Sequence, residues 1–207
     1  MNKTDISWCT HTWNPLTGCK RGCEYCYARR IYRRFHKNVS FEDIIVHLDR
    51  FEDPDLKKGN KTIFVGSMSD IEYWPKPLLQ KVIDICRHHK QHTFMFLSKS
   101  SSCYQNFIWP LNTRQGLTVE CNAIKDFHSK LLAMQNLPKP FLSIEPILGP
   151  CDSQLLNRFD QVIVGAMTGP GAISPYKEWL QSIIDCVEKE KIHWKPNVLP
   201  YLEKYGL

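Results

Sequence analysis

Cys19, Cys23 and Cys26 fall within eight positions of one another, in the stretch GCKRGCEYCYARR. Thiolates grouped in this way select soft metals, either zinc or an iron–sulfur cluster. A cubane cluster bound by only three protein sulfurs keeps one iron open, and an open iron can chelate a small molecule. A structural zinc ion would need a fourth ligand, which Cys9 or His11 in the upstream WCTH offers. The ligands would then come from a long loop and a helix start, without the second Cys-x-x-Cys pair of zinc ribbons.

Directly after the third cysteine come Arg29, Arg30, Arg33 and Arg34, then Lys37. A helix would gather several of these on one side, as a solvated face or as a face for phosphates. His88, His89 and His92 close another helical segment, where cationic side chains suit the helix dipole, and they are read in that role rather than as a metal site.

The elements that position these residues follow from hydrophobic periodicity. Short, almost wholly apolar runs recur at Thr62–Gly66, Thr93–Leu97, Leu117–Glu120, Phe141–Glu145 and Val162–Gly165. Strands apolar on both faces are what a parallel sheet needs when helices cover it. Earlier and later strands are expected at Ile6–Trp13 and Ile192–Lys195. Between them, Leu78, Leu79, Val82, Ile83 and Cys86 have helical spacing, as do Trp179, Leu180, Ile183, Ile184 and Val187. Ile124, Phe127, Leu131 and Leu132 make a third stripe. The alternation predicts an α/β fold, either a barrel or incomplete barrel or an open doubly wound sheet. Residues 38–61, with charge, Pro54 and Gly59, read as an insertion before the second strand.

In a βα barrel the chemistry sits at the carboxyl ends of the strands. The residues closing the apolar runs there are Ser67, Ser69 and Asp70, then Ser98 and Lys99, then Glu120, Glu145, Gly165 with Thr168, and Lys195. The plainer role for Asp70, Glu120 and Glu145 is to cap helices or to pair with lysines.

Composition sets the frame. With 207 residues, 43% hydrophobic and 23% charged, one globular domain over 1–207 is expected. The amino terminus lacks an apolar signal core and no later run reaches membrane-span length, so the expected location is cytoplasmic, with no membrane partner. Cysteines of a reducing compartment do not form a disulfide framework, and Cys86, Cys121 and Cys186 read as ordinary packed thiols. The net charge of +6 is compatible with a polyanionic partner without requiring one.

The three-cysteine spacing, Tyr25 before the third cysteine, and the position after a first strand resemble the radical S-adenosylmethionine superfamily. WNPLTGC, CYARR, VGSMSD, QHTFMFLSKS, LTVE, SIEPILGP and VIVGAMTGPG, spanning Trp13 to Gly171, together resemble an uncharacterised, phage-associated radical SAM-like family. The chain departs from that family's pattern at Ala166 and Met167, and in a carboxy-terminal segment represented only by IHWKPN.

The resemblance implies a (β/α)6 partial barrel with a short additional C-terminal strand. It implies a [4Fe–4S] cluster on Cys19, Cys23 and Cys26, and S-adenosyl-L-methionine bound at the open iron and cleaved to a 5′-deoxyadenosyl radical that abstracts hydrogen from a substrate. Tyr25 would pack near cluster and adenine, and Ser67, Ser69 and Asp70 would meet the amino or carboxylate group of the cofactor. Ser98 joins these cofactor contacts. Glu120 would hold the ribose hydroxyls, Gly165 would bring backbone close to adenine, and Glu145 and Lys99 are the candidate catalytic residues. The implied partners are an electron donor such as flavodoxin or ferredoxin and a DNA, RNA or nucleotide substrate, with the protein acting as a monomer in a bacterial or phage-infected cell. Two alternatives stand beside this: a zinc-stabilised module without catalysis, and a nucleic-acid-binding protein with a structural or redox-sensing cluster.

Overall fold

Each apolar run read from the sequence becomes a strand, and the residues between them supply the helices that cover it. The computed structural model describes residues 1–121 and 126–207. The chain divides into two units: Met1–Ser98 with Cys103–Arg114, and Lys99–Ser102 with Gln115–Leu207.

The first unit begins with β1 (Asn2–Lys3) and β2 (His11–Trp13), followed by β3 (Leu16–Thr17), α1 (Tyr27–Phe35) and β4 (Ile45–Val46). It continues with β5 (Thr62–Val65), α2 (Lys76–His88) and β6 (Thr93–Ser98). The expected strand Ile6–Trp13 is shorter than the pattern suggests. Cys9 N–H donates to the Ile6 carbonyl at 3.2 Å, which turns the chain and lets β1 run antiparallel to β2. Parallel pairing then links β2 to β5 and β5 to β6, with Trp13 opposite Val65 and Val65 opposite Phe96.

Residues 38–61 do more than interrupt. β4 pairs antiparallel with β3, and Phe41, Phe51 and Leu56 are buried. On α2, Leu79, Val82, Ile83 and Cys86 are buried as the stripe requires. Full burial of one such aliphatic or aromatic side chain stabilises a fold by roughly 1.5–3 kcal/mol.

β7 (Thr113–Val119) starts among residues of the first unit and passes into the second. The second unit adds α3 (Phe127–Ala133), β8 (Phe141–Ile144), β9 (Gln161–Val164), α4 (Lys177–Cys186), β10 (Ile192–Trp194) and α5 (Leu199–Tyr205). Its strands are parallel and adjacent in chain order, β7 to β8, β8 to β9 and β9 to β10. All four residues of β8 are buried, as an interior parallel strand demands.

Two helix stripes are narrower than their spacing suggests. Phe127 and Leu131 are buried but Leu132 is exposed, and Ile124 lies outside the described residues. On α4, Leu180 and Ile183 face the core and Ile184 does not. Among the described residues no helix is long and apolar enough to cross a membrane.

Candidate three-thiol site and strand-end polar groups

The cysteine loop is fastened to the carboxyl end of β5. Gly18 N–H donates to the Met68 carbonyl at 3.0 Å and Gly18 bridges to Ser69, while Cys19 N–H donates to Phe41 at 2.7 Å. Gly18 has φ of +103° and a Cβ there would overlap the Asp43 carbonyl, so the position requires glycine. Cys26 N–H turns back to the Cys23 carbonyl at 3.3 Å, and Cys26 then caps α1, its Sγ accepting the Arg29 N–H at 3.4 Å.

All three thiols are half-buried. Burial pushes the Cys19 thiol up to about 11; the Arg21 backbone N–H opposes this, and negative charge at Asp70, Cys26 and Cys23 adds to it. The three sulfurs therefore share one electrostatic neighbourhood. Among the described residues no three His, Cys, Asp or Glu side chains are drawn together as an ion-binding group, so the thiols are neighbours rather than a closed ligand set. The donor set nevertheless fits an iron–sulfur cluster: three soft sulfurs, with backbone N–H groups directed at two of them, as hydrogen bonds that tune cluster sulfurs are.

Cys9 and His11 stand elsewhere. Thr10, between them, donates its N–H to Thr62 at the first residue of β5, and His11 pairs with Ile63. The cysteine loop meets Met68 and Ser69, beyond the last residue of that strand. The two sites are thus separated along β5, at about 3.3 Å per residue.

Around the thiols the first unit gathers several strand-end residues. Asp70 Oδ1 accepts from Ser98 Oγ at 2.5 Å and from the Glu72 N–H at 3.1 Å. Arg21 reaches Asp70 at 3.4 Å and pairs with Glu72; its buried Nε makes no well-aligned hydrogen bond. Ser67 and Ser69 hold the backbone together. Ser67 exchanges hydrogen bonds with the Asn14 side chain, and Ser69 Oγ donates to Leu16 and accepts from Trp74 Nε1. Tyr25 is half-buried within the cysteine loop, while Tyr27 reaches the strand end, its hydroxyl donating to the Ser67 carbonyl at 2.6 Å.

In the second unit the strand-end residues form two ion pairs. Lys99 pairs with Glu120, and Lys195, which follows β10, pairs with Glu145, which follows β8. Glu145 also accepts weakly from Ser143 at 3.4 Å. The space over Gly165 is filled by these side chains: a Cβ there would stand 3.0 Å from Glu145 Cγ and from Lys195 Cδ. Asp70 capping a helical turn, and Glu120 and Glu145 pairing with lysines, are the plainer roles that their residue types also allow.

Arg21, Tyr27 and Cys103 are neighbours that sequence reasoning missed. Burial pushes the Cys103 thiol up to about 12; a hydrogen bond with Ser98 works against this and Asp70 adds to it, so Cys103 belongs to the Asp70–Ser98 group. Arg21 lay in plain view inside the cysteine motif, whereas nothing in the sequence around Cys103 signals its approach.

Fold and site together define a mixed α/β protein of mostly parallel strands, with a three-thiol loop held at a strand's carboxyl end. Residues 3–196 match the family described as protein of unknown function (DUF5131), and the chain belongs to that family. No curated protein and no solved structure matches it.

Proposed function

We propose that this protein is a radical S-adenosylmethionine enzyme in which Cys19, Cys23 and Cys26 hold a [4Fe–4S] cluster. The observation that carries the reading is the neighbourhood of three thiols at the carboxyl end of a parallel strand, with Cys9 and His11 beside its amino end. When bound, such a cluster supplies one electron to the sulfonium of S-adenosylmethionine, the chemistry that begins hydrogen abstraction from a substrate.

The chain's own residues do the rest. Gly18 and Phe41 fix the backbone of Cys19, and the Arg21 and Arg29 N–H groups are directed at the sulfurs of Cys19 and Cys26. Arg21, held by Asp70 and Glu72, keeps a cation beside the Asp70–Ser98–Cys103 group. In the second unit, Lys99 with Glu120 and Lys195 with Glu145 keep charged groups at strand carboxyl ends, where ligands bind in parallel α/β folds. The fold that goes with this reading is a (β/α)6 partial barrel. Strand order within each unit supports it, because neighbours follow chain order and show no reversal of the kind that marks a doubly wound sheet.

The test is anaerobic iron–sulfur reconstitution, then dithionite and S-adenosylmethionine, with chromatography for 5′-deoxyadenosine. A brown protein that forms it is expected, and Cys23→Ala should lose both iron and product while keeping its fold. A colourless protein holding one zinc when made without oxygen would overturn the proposal.

A further inference from the structure

The helix that Cys26 caps carries Arg29, Arg30, Arg33 and Arg34 and no acidic residue. Like charges four apart on a helix oppose its formation. The helix dipole accounts for cations in the last turn, where Arg33 and Arg34 stand, but it disfavours Arg29 and Arg30 in the first. Arg29 lines a cavity of about 330 Å³ together with Arg33, His36, Lys37, Ser40 and Glu42. Glu42 is the one acid on that wall and stands 3.8 Å from Arg29. Among the described residues Arg33, Arg34 and Lys37 have no carboxylate partner.

The chemistry of the wall points to phosphate. His36 is anchored by stacking on Tyr32, ring centroids 4.2 Å apart, which fixes one side of the cavity. Phe35, next to His36 in the chain and outside the cavity wall, is 77% exposed, a ring free to take a stacked base. A cationic groove with an adjacent aromatic platform is the arrangement that holds single-stranded nucleic acid, with the backbone on the cations and a base on the ring. An anionic membrane surface fits less well. The cations line a cavity rather than a flat face, and of the apolar residues that α1 leaves exposed, Tyr27, Ile31 and Phe35, the first is tied by its hydroxyl to the Ser67 carbonyl.

We infer that the cavity between α1 and residues 39–42 is a binding site for the phosphodiester backbone of single-stranded nucleic acid. Calling that strand the substrate rests on the three-thiol reading, but the binding itself does not. The site begins three residues after Cys26, which would bring a bound strand to the thiol loop.

The full chain without metal is titrated into fluorescein-labelled oligothymidylate and oligouridylate twelve-mers, followed by anisotropy between 50 and 300 mM salt. Binding to at least one is expected, with affinity falling as salt rises. The double variant Arg33→Ala, Lys37→Ala should bind about tenfold more weakly and with a shallower salt dependence, the logarithmic slope falling by about 0.7 for each phosphate no longer neutralised. Lys58→Ala with Lys130→Ala removes the same charge elsewhere and should bind as the parent does. Absence of binding at 50 mM salt, equal loss in both double variants, or binding to phosphatidylserine vesicles in place of the oligonucleotides would overturn the inference. Strand binding is read from the chain without metal and 5′-deoxyadenosine from the reconstituted chain, so failure of the strand site and failure of the cluster reading appear in different assays.

Discussion

Lys195 lies on the Glu145 carboxylate directly over Gly165, joining residues that follow β8, β9 and β10. The absent Cβ makes room for the pair, since both nearest atoms would stand at 3.0 Å from it. Gly165→Ala would narrow the unfolded ensemble, which stabilises by about 0.4–1 kcal/mol, and would crowd the pair, which destabilises. The two effects separate in a double-mutant cycle. Gly165→Ala should be destabilising in the parent and neutral or stabilising beside Lys195→Ala, a coupling of about 1 kcal/mol in urea unfolding. Strict additivity would mean that the pair does not depend on the glycine.

Gly116 presents the harsher case. It sits opposite Phe141 on the parallel strands β7 and β8, and a Cβ there would overlap the buried Phe141 ring. No solvent-facing side-chain end is available to give way. Gly116→Ala should cost about 2 kcal/mol, within the range for overpacked cores. Phe141→Leu added to it should recover part of the loss in thermal midpoint, although Phe141→Leu alone destabilises.

What packs over these two glycines could not be read from the sequence. Apolar runs such as FLSI and TIFV announce strands because covered parallel strands must be apolar throughout, and all five interior runs were legible in that way. The strand-end residues were legible from the same rule. What they touch was not: Asp70 with Ser98, Arg21 with Asp70, and Lys195 with Glu145 are separated by 28, 49 and 50 residues and meet only through tertiary pairing. The short β3 and β4 leave no pattern in the sequence for a related reason. Two-residue strands have no period, and the pairing of Leu16 with Val46 together with the burial of Phe41, Phe51 and Leu56 reveals that residues 38–61 build structure.

Thiol reactivity offers a check on the first unit that needs no metal. Burial holds Cys103 up at about 12, so at pH 8 its thiolate population is roughly a thousandth of that of an ordinary cysteine. Iodoacetamide should therefore modify Cys103 slowly in the folded chain and rapidly in urea, as followed by peptide mass spectrometry. Its rate in the folded chain should climb about tenfold per pH unit from 8 to 10, where an ordinary thiol levels off near 9. A plateau near pH 9 would place Cys103 in contact with solvent and away from Asp70 and Ser98.

Acid sensitivity should be set in part by His92. Its ring is buried, Nδ1 accepts the Lys61 N–H at 3.2 Å, and Nε2 faces the Leu56 carbonyl at 2.9 Å, an arrangement suited to a neutral ring with its proton on Nε2. Burial lowers its pKa; the Leu56 carbonyl works against this, while the charges of Lys61, His89 and His11 reinforce it. Unfolded, His92 takes up a proton near pH 6.5; folded, it does so only at lower pH. Between the two values the unfolded chain binds more protons, so stability is fully present above about 6.5 and falls as pH drops. One such proton contributes a slope of at most about 1.4 kcal/mol per pH unit. Burial shifts His11, His47 and His193 in the same direction, so the parent should lose stability from several sites at once. Urea midpoints taken from pH 7.5 to 5.5 should decline, and His92→Gln, less stable at pH 7.5, should decline less steeply. An unchanged slope in that variant would mean that His92 takes up its proton without unfolding, and that the Lys61 and Leu56 contacts do not hold the ring neutral.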